Sequence, residues 1–190
     1  MRRSLKLRRI TQEQFEKVIV KSEKRKSFRG QLYPMGFDLI GAGHEIEAYL
    51  LILATWNFAR FRYFMKTFDL ETFRQTVTAT RAHFDRLASY SFQTADFDAL
   101  ADDITPVYDK FRLIAEQTGA SKILHFRQPK LFVMWDTDIR RSYGLESSAR
   151  DYILFHKYLQ SEFGHLTWSR EDKTFARAID QYNYFRAHGE

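Results

Sequence analysis

Hydrophobic positions recur along most of this chain at spacings of three and four, the pattern of helices that bury one face. Phe15, Val18 and Ile19 form the first stripe, with Thr11 and Gln14 at capping-box spacing ahead of it. Across 44–64 apolar residues fall on nearly every side, which predicts a buried central helix. Asp69 is placed to cap the next one, with Leu70, Phe73, Val77, Phe84 and Leu87 inward. Thr105-Pro106 predicts a further start, with Val107, Tyr108, Phe111, Ile114 and Ala115 inward and Gly119 just past the end. A short helix over 121–126 follows, Pro129 breaks it, and 131–135 is apolar and either extended or a single turn. Asp136 is a cap for a helix through Tyr143, ended by Gly144. Ser148 to Asp151 and Ser169 to Asp172 open the last two helices. The stretch 30–43, with four glycines and Pro34, reads as a loop. No segment alternates with a period of two. The expectation is an all-α fold of about nine helices in a single domain, 1–190, with room for two lobes divided near the acidic piece at 95–103.

Composition narrows the class. With 44% apolar residues and 16% aromatic ones, 190 residues suffice for a real core. The absence of cysteine excludes disulfides, Cys-type zinc sites and cysteine-ligated iron–sulfur clusters. The run 48–54 is too short to span a bilayer, and the opening Met-Arg-Arg-Ser-Leu-Lys-Leu-Arg-Arg lacks the apolar stretch of a secretory signal. The expectation is a soluble intracellular protein, in cytoplasm or nucleoid, with no membrane partner.

Charge adds a partner class. The net charge is +6, with the excess in Arg2, Arg3, Lys6, Arg8 and Arg9 and again in Lys21, Lys24, Arg25, Lys26 and Arg29. Such an excess suits a polyanion, most often nucleic acid; it also suits a solvated tail and helix face. No Walker loop, dinucleotide fingerprint, nucleophile elbow or zinc-protease helix is present, the six histidines do not cluster, and nothing calls for a metal or cofactor. His125, on a short apolar helix, reads as a satisfied core residue.

The informative stretch runs from Phe111 through Gly119, Ser121 and Lys122 to Trp135-Asp136-Thr137-Asp138-Ile139-Arg140-Arg141 and Gly144. Its order is helix, glycine turn, helix, apolar crossover, Asp-Thr-x-x-Arg, helix. This resembles the helix-hairpin-helix superfamily of DNA base-excision glycosylases, whose crossover delivers an aspartate at a helix start. The resemblance covers about a fifth of the chain. It implies an all-α, two-lobed fold and a duplex DNA partner, damaged or modified. It implies that Asp136 stabilises positive charge on the sugar during N-glycosidic cleavage and that Gly119, Ser121, Arg140 and Arg141 face phosphates. Lys122, three residues after Gly119, is then a phosphate contact or an amine nucleophile.

Each residue also has a plainer reading. Asp136 is an ordinary helix cap, Lys122 a surface lysine, and Arg140 and Arg141 a solvated face. Trp135, Tyr143, Trp56 and Phe61 stack on an extruded base or fill the core. Asn57 interrupts a very apolar helix, where its amide reads a base edge or bonds neighbouring backbone. The leading expectation is a DNA glycosylase-like hydrolase that acts on a flipped base. The alternatives are a DNA-binding module without catalysis, motivated by one hairpin glycine where the family pattern has two, a base-modifying enzyme on the same scaffold, and a helical protein-interaction module.

Overall fold

The computed structural model describes residues 9–24, 28–56 and 58–188, and among these the fold is nine helices with no strand. They are α1 (Gln12–Glu23), α2 (Phe28–Gly41), α3 (Glu45–Trp56), α4 (Phe58–Phe64), α5 (Leu70–Leu87), α6 (Ala101–Arg127), α7 (Thr137–Ser142), α8 (Ala149–Phe163) and α9 (Phe175–Ala187). Several begin where the caps predict. Thr11 and Gln14 form the reciprocal capping box of α1. Asp69 caps α5, Asp136 caps α7 and Ser148 caps α8.

Five expectations are corrected. The stretch 30–43 is mostly helix α2, because Tyr33, Phe37 and Ile40 pack on the core. Its glycine at 36 permits this approach: a Cβ there would lie 2.7 Å from the Phe126 ring. The region 44–64 is two helices, and Phe58 and Tyr63 on the second are exposed. Helix α6 starts at Ala101, with Asp102 and Asp103 in the first turn where the helix dipole favours them, so Pro106 lies inside it. Gly119 ends no helix, for α6 breaks at Glu116 and resumes to Arg127. The last helix starts at Phe175, capped by Thr174; Arg170 and Asp172 pair with each other in the loop before it.

Helix α6 is the spine. It packs against α3, α4, α5 and α8, while α1 and α7 pack against α9. Aromatic residues carry much of the core. Phe111 touches Tyr49, Phe73 and Phe84 at centroid distances of 6.1–6.4 Å. Phe15 sits 5.7–5.8 Å from Phe163, Trp168, Phe175 and Tyr182. No helix among the described residues is long and apolar enough to cross a membrane.

Candidate functional site

The crossover between α6 and α7 decides where Asp136 stands. Residues 131–135 are non-regular and buried, so their backbone groups need partners that no helix supplies. Side chains supply them. His125 donates from Nδ1 to the Phe132 carbonyl (2.6 Å), and its Nε2 accepts from the Tyr33 hydroxyl (2.7 Å). His156 accepts the Val133 N–H at Nε2 (2.9 Å) and donates from Nδ1 to the Tyr152 carbonyl (2.8 Å). The Tyr152 hydroxyl donates to the Val133 carbonyl (3.0 Å). Ser121 Oγ lies 3.0 Å from the Trp135 carbonyl and accepts the Trp135 N–H at 3.3 Å. Two neutral histidines, a tyrosine and a serine therefore pin the crossover that ends at Asp136. Burial pushes His125 down to about 3 and His156 down to about 4, so both stay neutral across physiological pH.

Asp136 then does two jobs. Oδ1 accepts the backbone N–H groups of Asp138 (2.9 Å) and Ile139 (2.8 Å), and Oδ2 lies 2.9 Å from His188 Nε2. The carboxylate opens onto a cleft of about 1310 Å³, above the usual range for a small-molecule pocket. Lys122 reaches the same cleft from α6, its Nζ donating to the Trp56 carbonyl. A face of α9 lines the cleft as well, with Arg177, Asp180, Gln181, Tyr184 and His188. Asp180 is buried and ion-paired with Arg177, whose guanidinium lies 4.3 Å over the Tyr33 ring. Burial raises Asp180 to about 6; Arg177 and Lys122 pull it down, and Asp136 pushes it up.

Among the described residues the lining is not a basic groove. Glu23, Glu116, Asp136, Asp138 and Asp180 face it against Arg60, Lys122 and Arg177. Carboxylates in that proportion favour positive charge developing inside the cleft and disfavour phosphates there. One ligand atom each from Asp136, Asp138 and His188 lies within 4.8 Å of the others, a carboxylate–histidine set of the type that holds divalent cations.

The sequence-predicted residues divide. Asp136 and Lys122 come together at the cleft, and Trp56 lines it too. Gly119 and Ser121 are buried, the latter occupied by the crossover, so neither reaches a phosphate. Arg140 is buried as well, donating to the Leu145 carbonyl (2.8 Å), whereas Arg141 is exposed on α7. Trp135 lines the cleft with its edge but is otherwise held in the core: it is 1% exposed, its indole N–H donates to the Gln117 carbonyl (3.2 Å) and its ring packs 4.9 Å from Tyr152. Tyr143 is core too, its hydroxyl bonded to Glu162 (2.7 Å) and Asn183 (3.0 Å). Asn57 lies outside the described residues, as do the basic residues Arg2, Arg3, Lys6, Arg8, Arg25 and Lys26.

Three site residues escape sequence reasoning: Arg177, Asp180 and His188. Their spacing, with Gln181 and Tyr184, is a polar stripe along α9, which reads the same as a solvated face. Glu116 is a fourth. Its φ of 56° and ψ of 177° fall in a region that strongly favours glycine, which places backbone strain at the cleft rim. Glu116→Gly is expected to raise stability by about 1 kcal/mol, roughly 2–4 °C in Tm for a chain of this size. A fall in Tm would show that the Glu116–Arg60 pair (3.6 Å) outweighs the strain.

Compared with known proteins, the chain matches no family model, no curated protein and no solved structure.

Proposed function

We propose that the protein is a nucleic-acid base-processing enzyme that releases a base from an extruded nucleotide in the Asp136 cleft. The observation that carries the reading is convergence. Asp136 and Lys122, singled out by a DNA glycosylase-like pattern, open onto one cleft large enough for a nucleotide, which the buried Asp180 also lines. Asp136 suits the task chemically. Breaking an N-glycosidic bond leaves positive charge on the sugar, and a fixed carboxylate stabilises it at little reorganisation cost. The carboxylate is fixed here by two backbone N–H groups and His188. Aromatic surface for the base comes from Trp56, Tyr184 and Phe185, with the nearly buried Trp135 beside them and Tyr143 outside the cleft. The acidic lining assigns the cleft to base and sugar and leaves the phosphates to the rim and the basic surface beyond it.

The test is single-turnover release from duplexes carrying uracil, oxidised or alkylated bases. The protein is expected to free at least one of these bases and leave an abasic site. Salt-sensitive duplex binding with no base release across the panel would favour a binding module without catalysis.

A further inference from the structure

Building on the base-release reading, we propose that Asp180 is the second carboxyl group of the reaction, the one that hands a proton to the departing base while Asp136 faces the sugar. Asp180 stands on α9 and Asp136 on the crossover into α7, which packs against α9, and both line the same cavity. Its side chain is held in one place. Oδ2 takes the Arg177 guanidinium, and Arg177 is itself stacked on Tyr33. Oδ1 makes no hydrogen bond among the described residues, so it is the atom available to a ligand in the cleft. The residue is only 7% exposed, which keeps bulk water from relaying the proton in its place.

The charged groups facing it set its two states. Arg177 on its own helix and Lys122 from α6 favour the carboxylate, while burial and Asp136 favour the acid. The balance near pH 6 lets it both give up and recover a proton near neutrality. Two carboxyl groups in one cleft, with Asp180 raised toward neutrality by burial, are the arrangement that acid-assisted glycosidic cleavage requires.

The step balances without a further co-reactant beyond water. The C1′–N bond breaks and its electron pair passes to the base. The Asp180 carboxyl proton moves to a ring nitrogen of that base. Water adds to C1′, its proton goes to the Asp136 carboxylate and on to solvent, and Asp180 regains a proton from solvent. An acid helps only a base that leaves poorly while neutral. A base that is already cationic, such as a 7-methylated guanine, leaves without it. Asp180 therefore directs the site toward neutral bases.

The experiment compares wild type, Asp180→Asn and Asp136→Asn in single-turnover release of the best neutral base found and of 7-methylguanine. Asp180→Asn is expected to slow release of the neutral base about 10²–10³-fold. It is expected to leave 7-methylguanine release within about threefold, while Asp136→Asn slows both. In wild type, release of the neutral base is expected to fall about tenfold per pH unit above about 6, a limb absent with 7-methylguanine. Retained 7-methylguanine release also shows that the variant is folded. Equal losses on both substrates, or no loss on either, would overturn the role of Asp180 and leave the base-release reading standing. No release of either base by wild type would overturn that reading, and this inference with it.

Discussion

Lowering the pH from 7 to 5 is expected to reduce the melting temperature by roughly 6–12 °C, a loss of about 3 kcal/mol. The cause is His125 and His156. Both are fully buried, and burial holds them down to about 3 and about 4 from an ordinary 6.5. The unfolded chain binds protons below pH 6.5 that the folded chain refuses. Stability is therefore fully present above 6.5 and is lost as pH falls toward the folded values. At pH 5 each histidine costs about 2 kcal/mol. Asp180 runs the other way. Its folded value is raised, so the folded state takes up a proton first as pH falls through 6, returning about 1 kcal/mol by pH 5. Asp69, Asp103 and Asp172 are held below the usual carboxylate range, so their contribution fades only at lower pH and leaves this window to the histidines.

The loss has a place in the structure. Protonating His156 at Nε2 removes the acceptor of the Val133 N–H, and protonating His125 puts a charge against the buried crossover. His156→Gln offers an acceptor that does not ionise and is expected to cut the pH-dependent drop to about a third, about 1 kcal/mol. A Tm that does not change between pH 7 and 5 would contradict the neutral, fully bonded state of both rings.

Helix periodicity and caps made most of the fold legible, since capping at Thr11, Asp69, Asp136 and Ser148 is a local matter decided by the nearest backbone donors. The failures are tertiary. Helix α2 forms against local punctuation because Gly36 admits the Phe126 ring, a contact between residues ninety positions apart. The break in α6 falls at a glutamate in a glycine-favouring conformation, and no glycine marks it. In the site, Asp136 was legible through its flanking pattern. Asp180 was not, because a carboxylate on an amphipathic helix gives no sign of whether it meets water or a cleft. Arg140 misled for the converse reason, as a cation on a short helix that the chain turns inward to hold the Leu145 carbonyl.

Replacing Asp136 by asparagine is expected to cost the most in function. Asparagine caps a helix about as well as aspartate, so the Asp138 and Ile139 N–H groups keep an acceptor and the fold keeps its start for α7. What disappears is the negative charge that the proposed reaction sets beside the sugar. Loss of one preorganised electrostatic stabiliser slows a reaction by about 10²–10³-fold. The substitution also replaces the carboxylate oxygen 2.9 Å from His188 Nε2, while Asp138 stays 3.9 Å from His188 Nδ1. The cost in stability is expected to be small, about 1 kcal/mol or less, because the pair is partly solvated. The most direct measurement is therefore the single-turnover rate of base release by wild type and Asp136→Asn on the same duplex, with Tm recorded for both. The expected result is a fall of about 10²–10³-fold in rate at nearly unchanged Tm. Equal rates in the two proteins would contradict the central claim, leaving Asp136 as the cap of α7 and nothing more.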